Sequence, residues 1–533
     1  MGERRPTIAS RHGMVAAAHP LAASSGARIL AQGGNAFDAA AAVGAVLNVV
    51  EPFMSGLAGL GLATMWVAAE RRVRVLDFVP GVPASFPAAR FDARADLERG
   101  ALAVAPPGNL AGWCELVRHY GRLSLSESLA PAVTLAADGF PLLEFGAYEY
   151  AEQARAMTDW PALHGDWSAN YRLDGPAAVG TILRQPDLAE TFRLLGTAGP
   201  ELLYGGELGA RIVSHLQACG GTLNLDDLRA VRPVWKAPLS ASYRGVDLYV
   251  PPPPCEGFQI LLTLRILEGF DVAKLPRCGV EHLDLVFRAI RLAAGLRIAH
   301  NNPSEAKLDE LLSEVSIAAL RARVKDGAPI DGPTEQWTPA PEIPPKQLST
   351  TSFSITDREG NLVCVTQSLG SPFGSGVVVP GTGVCLNNFL YWADVDADSP
   401  NRTQPGAPLP ICMAPIIGLR SGAPMLALGT PGSYGILQTQ VQALVQYLDY
   451  GLVLQHAIEA PRGRLMDGRS VTVEDRITPD VVAGLRARGH DASSFGADWT
   501  MKVGGMQAIA LDPTTRVAIG AADPRRDGHV AMP

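Results

Sequence analysis

The stretch that decides the fold is rich in hydroxyl side chains and continues as a hairpin pattern. It runs Ser349-Thr350-Thr351-Ser352-Phe353-Ser354-Ile355-Thr356, then Asp357-Arg358-Glu359-Gly360-Asn361, then Leu362-Val363-Cys364-Val365-Thr366-Gln367-Ser368. Two strand-like segments flank a polar turn that contains glycine, which is typical of a β-hairpin. The sequence therefore predicts that Thr350 lies at the mouth of a hairpin.

Upstream of this hairpin the chain is mostly helical and then proline-rich. Prolines at 339, 341, 344 and 345 predict an extended, exposed linker over residues 339–346. Helical periodicity dominates from about 110 to 345. The segments that carry it are Leu125–Ala137, Asp187–Leu195, Gly206–Cys219 and Val280–His300.

The first eighty residues predict a helical pair followed by strands. Residues 20–31 have helical character, and Asn35 suits the N-cap of an alanine-rich helix that runs towards Val50. Ala63–Val67 and Val73–Phe78 have the composition of two strands joined by a charged turn.

Composition excludes several classes of protein. The 533 residues are 47% hydrophobic and 18% charged, the make-up of a well-packed globular protein. The formal net charge is -8 with no basic run, so we expect neither nucleic acid nor a membrane surface as a partner. The start of the chain lacks the apolar core of a signal peptide, which favours a cytoplasmic location.

Signatures of metal and cofactor binding are missing from the sequence. The histidines form no His-x-x-x-His pair, and the seven cysteines form no Cys-x-x-Cys pair. Gly56, Gly59 and Gly61 do not have the order of a dinucleotide-binding loop, and no Gly-x-Ser-x-Gly elbow occurs. We expect no metal and no cofactor.

Several short motifs gain meaning from their order along the chain. Besides residues 350–354 they include Gly33-Gly34-Asn35-Ala36, Glu51-Pro52, Pro107-Gly108, Asn387-Asn388 and Gly429-Thr430-Pro431-Gly432. Together they cover roughly residues 12–525 and closely resemble the γ-glutamyltranspeptidase family. The resemblance implies a mixed α/β (α+β) fold, the four-layer αββα sandwich of N-terminal-nucleophile hydrolases.

The same resemblance implies that the chain cuts itself between Ser349 and Thr350. A large fragment of residues 1–349 and a small fragment of residues 350–533 would remain one intertwined structural unit, a heterodimer. Whether such heterodimers pair further stays open.

Cleavage would provide Thr350 with both a nucleophile and the base that activates it. A threonine hydroxyl is a weak nucleophile that needs a base within hydrogen-bond reach. A free α-amino group, with an ordinary pKa of about 7.7–8.0, can accept the hydroxyl proton near neutral pH. Because that amine exists only after the preceding peptide bond breaks, the precursor would be inactive.

The resemblance assigns three supporting residues. The family has a second threonine near the nucleophile, and Ser368 stands at that position with a hydroxyl that could orient Thr350. The backbone amides that stabilise the oxyanion correspond to Gly432 and Ser433. Ser433 replaces a glycine but keeps its N–H.

The acyl-binding positions depart from the family. Enzymes that take γ-glutamyl groups hold the zwitterionic head with an arginine, two serines and two acids. Aliphatic, thiol or aromatic residues stand at those positions here, so the sequence predicts a small-molecule amide substrate with a less polar acyl group. The predicted substrate-binding residues are Val79, Asn388, Phe389, Trp392, Ile411 and Cys412.

Three functions remain open from the sequence. The first is a self-processing amidase or acylase that acts through an acyl-enzyme on Thr350. The second is a true γ-glutamyl hydrolase or transferase that binds the glutamyl head with other groups, Asp394 among them if the register slips. The third is a non-catalytic binding relative that never matures.

Overall fold

The computed structural model describes residues 5–91, 93–334 and 349–533. The predicted proline-rich linker over residues 339–346 lies outside these ranges. The α-helices are α1 (Pro20–Ala31), α2 (Ala36–Val50), α3 (Asn109–Tyr120), α4 (Leu125–Asp138), α5 (Glu144–Ala156), α6 (Pro161–Asn170), α7 (Pro186–Ala198), α8 (Glu201–Tyr204), α9 (Glu207–Ala218), α10 (Leu225–Arg229), α11 (Phe258–Leu267), α12 (Val280–Ala299), α13 (Glu305–Leu311), α14 (Glu314–Asp326), α15 (Ile436–Leu448), α16 (Leu454–Glu459) and α17 (Pro479–Ala487).

Most of the strands belong to two large sheets. The strands are β1 (Ile8–Ser10), β2 (Met14–Ala17), β3 (Leu60–Val67), β4 (Arg72–Phe78), β5 (Phe140–Pro141), β6 (Ile182–Leu183), β7 (Val234–Lys236), β8 (Leu239–Tyr243), β9 (Val246–Val250), β10 (Thr351–Thr356), β11 (Leu362–Ser368), β12 (Val378–Val379), β13 (Val384–Cys385), β14 (Ile416–Arg420), β15 (Ala423–Gly429), β16 (Gly463–Leu465), β17 (Ser470–Val473), β18 (Asp491–Ser494), β19 (Gln507–Leu511), β20 (Ala518–Ala522) and β21 (His529–Ala531).

Each large sheet has seven strands, and every pairing within it is antiparallel. We call them sheet A, in the order β1-β20-β19-β15-β14-β9-β8, and sheet B, in the order β21-β2-β10-β11-β3-β4-β7. A smaller sheet, β16-β17-β18, lies outside both. Strands from both sides of residue 349 occur in each large sheet.

Three apolar clusters correspond to the interfaces of four layers. One packs sheet B against the helices α1 to α4, and a second packs sheet A against α11, α12 and α15. A third lies between the two sheets and contains Met14 and Cys364 of sheet B with Ile417 and Ile509 of sheet A. The predicted αββα sandwich is confirmed.

The predicted hairpin lies at the centre of sheet B. β10 pairs with β11 on one side, with Thr351 opposite Gln367, and with β2 on the other. Phe353 and Ile355 face the helices, whereas the Ser354 hydroxyl donates to the Gln507 carbonyl of sheet A at 3.0 Å. Because both faces are covered, every residue of β10 is buried.

The predicted helical pair near the start is also present, as α1 and α2. Asn35 caps α2 through a capping box in which its side chain accepts from the N–H of Asp38 and the Asp38 carboxylate accepts from the N–H of Asn35. All fifteen residues of α2 are buried, because the helix lies between sheet B and neighbouring helices.

The segment from 110 to 345 contains strands that helical periodicity did not indicate. β7, β8 and β9 extend the edges of both sheets, β7 beside β4 and β9 beside β14. Exposure alternates with burial along β8 and β9, as expected for strands at a sheet edge. None of the helices in the described ranges combines the length and apolarity needed to span a membrane.

The close approach of the two sheets at Gly429 gives a test of the sandwich. A Cβ on Gly429 would overlap the Ser352 hydroxyl of β10. We expect Gly429→Ala to lower the free energy of unfolding by roughly 1–3 kcal/mol because the sheets must separate to admit the methyl group. Urea unfolding measures the change.

Gly295→Ala is the matched control for this variant. Gly295 lies inside α12 with no atom within 4 Å of its added Cβ. Alanine there should raise stability by about 0.5–1 kcal/mol. Equal effects of the two substitutions would contradict the packing of Gly429 on β10.

Candidate active site

Thr350 occupies the position directly before β10, and it is almost fully buried. Thr350 is 4% exposed and Ser349 is 1% exposed. Thr350 has a φ of 152°, a backbone conformation that a β-branched residue adopts only at a cost of about 1–3 kcal/mol. The peptide bond between Ser349 and Thr350 therefore precedes a strained residue.

The Thr350 hydroxyl belongs to a short hydrogen-bond chain with the end of β11. It donates to the Ser368 hydroxyl at 3.1 Å, and Ser368 Oγ accepts from the Gly370 N–H at 2.9 Å. The Ser349 hydroxyl donates to the carbonyl of Gly370. The hairpin thus brings the two predicted hydroxyl residues together across its mouth.

A buried ion pair binds the backbone carbonyl of Thr350. Arg526 donates to this carbonyl oxygen at 3.0 Å and to the Glu51 carboxylate at 2.8 Å. The same Glu51 oxygen accepts from the Thr351 hydroxyl at 3.2 Å. Glu51 and Arg526 are 1% and 3% exposed, so the pair is shielded from solvent.

The roles of Glu51 and Arg526 were missed in the sequence. Glu51 belongs to a motif of the family resemblance, and a buried acid after an alanine-rich helix is a signal for a paired charge. Arg526 offers no comparable signal, because 475 residues separate it from Glu51. Only the fold brings the two together.

Titratable groups around Arg526 have shifted pKa values that reduce the buried charge. Burial raises the pKa of Glu149 to about 8, against the opposing effect of Arg526. Burial, with help from Arg526, lowers the pKa of His19 to about 3. Near neutral pH Glu149 is mostly protonated and His19 is neutral, which leaves the Glu51–Arg526 pair as a charged centre beside Thr350.

Gly432 and Ser433 form the turn that leads from β15 to α15. Their φ values are 134° and 53°, and the turn packs against Gly504. A short 3-10 turn over Ser433–Gly435 joins directly to α15, so the two amides lie at a helical N-terminus, where N–H groups favour negative charge. Their role as an oxyanion hole stays a prediction.

The predicted acyl-binding residues, apart from Asn388, all lie in or against the large apolar core beside sheet A. Phe389, Trp392, Ile411 and Cys412 belong to it with exposures of 2–8%, and Val79 packs against it. The rings of Phe389 and Trp392 lie 5.6 Å apart. Trp392 also borders Gly370, which places its ring beside the turn that follows Ser368.

Asn388 has a structural duty at the same turn. Its amide donates to the Glu98 carbonyl at 2.8 Å and to the Ser371 hydroxyl at 2.9 Å, and its oxygen accepts from the Ser371 N–H at 2.8 Å. These bonds fix the segment after Ser368. Substrate contact by Asn388 stays a prediction.

The Asp394 carboxylate forms hydrogen bonds within its own loop. Its carboxylate accepts from the Ser399 hydroxyl at 2.6 Å and from the Asp396 N–H at 3.3 Å. An acid already used in this way is poorly placed to hold a substrate ammonium group.

The fold and the buried threonine at the head of β10 define an N-terminal-nucleophile hydrolase. A family model described as gamma-glutamyltranspeptidase matches residues 22–532. The chain belongs to the γ-glutamyltranspeptidase family.

Relatives span the whole chain. The Acylase ACY 1 proenzyme of Pseudomonas sp. strain SE83 is 34% identical over 544 residues, covering 99% of this chain and 94% of its own length. The Glutathione hydrolase-like YwrD proenzyme of Bacillus subtilis strain 168 is 31% identical and covers 97% of both. The crystal structure of cephalosporin acylase from Bacillus halodurans matches with a TM-score of 0.89 at 30% identity, covering 100% of this chain and 98% of that one.

The hydroxyl chain at the hairpin mouth predicts a graded effect of substitutions at Ser368. Ser368→Ala removes the acceptor of the Thr350 hydroxyl, so we expect self-cleavage to slow roughly 10-fold or more, whereas Ser368→Thr keeps the acceptor and most of the rate. Denaturing electrophoresis over time measures it.

Ser352→Ala serves as the control for a lost hydroxyl on the same hairpin. The Ser352 hydroxyl donates to the Val365 carbonyl at 2.9 Å rather than to Thr350. If Ser368→Ala and Ser352→Ala slow cleavage equally, the specific role of Ser368 is wrong.

The raised pKa of Glu149 predicts a pH-dependent stability. The native state holds the Glu149 proton up to pH about 8 and the unfolded state only to about 4.5, so the stability that this proton provides is lost as pH rises through that window. Relative to wild type, Glu149→Gln should therefore gain roughly 1.4 kcal/mol per pH unit between pH 5 and 8.

Urea unfolding at several pH values tests this expectation. Glu144→Gln, an exposed change on the same helix, is the matched control. Parallel stability curves for wild type and Glu149→Gln would show that the carboxyl is not protonated in the native state.

Proposed function

We propose that this protein is a self-processing amidohydrolase of the acylase type, with Thr350 as the nucleophile of both self-cleavage and turnover. The observation that carries the proposal is the Thr350 hydroxyl hydrogen-bonded to Ser368 at a strained peptide junction. The proenzyme names of full-length relatives and the acylase names among them support it.

Self-cleavage follows from the position of the hydroxyl. Thr350 Oγ1 attacks the carbonyl carbon of Ser349, the C–N bond breaks, and the acyl group passes from nitrogen to oxygen. Water then hydrolyses the ester, which releases the Ser349 carboxylate and leaves Thr350 with a free hydroxyl and a free α-amine. Departure from a φ of 152° relieves strain and so favours this reaction.

Turnover uses the same atoms. The α-amine accepts the hydroxyl proton as Thr350 Oγ1 attacks the substrate amide, and the proton passes to the departing amine. The amides of Gly432 and Ser433 would receive the oxyanion, and the Arg526 bond to the Thr350 carbonyl holds the nucleophile in place. Water, activated by the same α-amine, releases the acid.

The acyl group of the substrate is less polar than γ-glutamyl. Aromatic and aliphatic side chains fill the predicted acyl site, and the carboxylate of Asp394 is already bound by its own loop. A zwitterionic head would lose its hydration there without an acid to pair with its ammonium group.

The two fragments stay together as a heterodimer because their strands alternate. β10 belongs to residues 350–533, yet β2 on one side of it belongs to residues 1–349, and β11 on the other side pairs with β3. Sheet A joins β14 to β9 in the same way. Separation of the fragments would break both sheets.

Substitution of Thr350 gives the decisive test. Wild type should yield two fragments, the smaller beginning at Thr350, whereas Thr350→Ala should remain one chain because no hydroxyl can attack Ser349. Intact mass and N-terminal sequencing measure the outcome. Thr350→Ser keeps a hydroxyl and should still cut; an uncut wild type, or cleavage of Thr350→Ala at the same bond, would overturn the proposal.

A further inference from the structure

A serine at the predicted oxyanion turn has a backbone conformation that residues with a side chain rarely adopt. Ser433 has a φ of 53°, in the left-handed region, and Gly432 before it has a φ of 134°. Glycine occupies the left-handed region about as readily as the right-handed one, whereas a residue with a Cβ does so at a cost in free energy. Ser433 therefore needs contacts elsewhere in the fold that hold the turn in this conformation.

Hydrogen bonding and packing restrain the two ends of the turn. The Gly432 carbonyl accepts from the N–H of Gly435 at 3.0 Å, and the short 3-10 turn over Ser433–Gly435 continues into α15. A Cβ on Gly432 would lie 3.7 Å from the Cα of Gly504, so this end of the turn rests on a neighbouring segment of backbone. These contacts act on the residues that flank Ser433 and Tyr434.

The Tyr434 side chain anchors the middle of the turn. It is 2% exposed, and the guanidinium carbon of Arg297 lies 4.6 Å from the centre of its ring. Burial raises the pKa of Tyr434 well above its usual value, so the ring is a neutral phenol. A cation is attracted to the face of such a ring, and more strongly where water is excluded. The residue that follows Ser433 is therefore tied to Arg297.

Arg297 is itself held in place by hydrogen bonds from all three of its nitrogens. Its Nη1 donates to the Glu256 carboxylate at 2.5 Å, its Nε to the Gln259 side-chain oxygen at 2.8 Å, and its Nη2 to the Thr334 carbonyl at 2.8 Å. Arg297 and Glu256 are 1% and 0% exposed, so this ion pair is shielded from solvent. The guanidinium plane beside Tyr434 thus has a fixed orientation.

We propose that Tyr434 is a positioning residue that, held by Arg297, keeps Ser433 in the left-handed conformation and so aims the amides of the turn at the oxyanion. The inference rests on the proposed function, in which the amides of Gly432 and Ser433 receive the oxyanion. It gives a physical reason why a serine can stand where the family has a glycine. The anchor at the next residue enforces the conformation that glycine would adopt freely.

A double-substitution cycle tests this role through a rescue, with valeryl-p-nitroanilide as the substrate. Tyr434→Leu keeps an apolar side chain but removes the ring, so Ser433 can relax, and we expect kcat of the matured enzyme to fall roughly 10-fold with little change in KM. Adding Ser433→Gly makes the left-handed conformation accessible without the anchor, so kcat should recover by about 3-fold or more. Ser433→Gly alone should stay within about 2-fold of wild type.

Two further variants separate the anchor from a general loss of packing. Tyr434→Phe keeps the ring beside Arg297 and should retain the wild-type kcat. Tyr447→Leu removes a partly buried tyrosine from α15, the helix that follows the turn, and should also retain it. An unchanged kcat in Tyr434→Leu, a loss that Ser433→Gly does not rescue, or an equal loss in Tyr434→Phe would overturn the assignment.

Unfolding of the uncut chain separates this inference from the proposed function. In the Thr350→Ala background, which requires neither maturation nor turnover, urea unfolding measures the effect of Ser433→Gly with and without the Tyr434 ring. Glycine relieves strain only while the anchor enforces it, so Ser433→Gly should favour the folded state more with Tyr434 present than in the Tyr434→Leu variant. This measurement also decides the question if Tyr434→Leu fails to mature.

The two proposals fail in different ways. Equal effects of Ser433→Gly in the two backgrounds would overturn the anchor and leave the proposed function in place. Unequal effects in a protein whose wild type neither cuts itself nor hydrolyses the anilide would overturn the proposed function and leave Tyr434 as the anchor of the turn.

Discussion

The pairing of β10 with both β2 and β11 is the constraint on which the rest of the molecule depends. It fixes the strand that directly follows Thr350 in the middle of sheet B, with helices on one face and sheet A on the other. Because the neighbouring strands are fixed, Thr350 lies opposite Ser368, and its hydroxyl donates to the Ser368 hydroxyl. The chemistry of the site is in this sense a consequence of strand register.

Most buried titratable groups around this strand are either neutral or paired with an opposite charge. Burial suppresses the charges of Glu149 and His19, and the charges that persist beside Thr350 are joined in the Glu51–Arg526 pair. Such a pair is sensitive to the loss of either partner, because the remaining charge would be buried alone.

Local sequence patterns were sufficient to predict the elements whose turn or capping residues are present in the same segment. The hairpin from Thr351 to Ser368 has a turn of polar residues between two strand-like runs, and α2 has a capping residue followed by a helical run. β7 to β9 have weaker patterns because each is short and lies in the outer part of a sheet, where exposure depends on neighbours from distant parts of the chain. For the same reason Arg526 could not be assigned from sequence: its partners, the Glu51 carboxylate and the Thr350 carbonyl, are fixed by tertiary contacts.

The alternation of strands from residues 1–349 and 350–533 has a consequence for the lifetime of the protein. Folding must come first, because Arg526 contacts the Thr350 carbonyl only after distant parts of the chain have come together. The cut then removes the covalent connection that guided folding. A cleaved molecule that loses its sheets would have to reassemble from two chains, each with open strand edges prone to aggregation. The persistence of the cleaved form is therefore governed by how slowly it unfolds. Its stability is kinetic, because unfolding after the cut is not readily reversed.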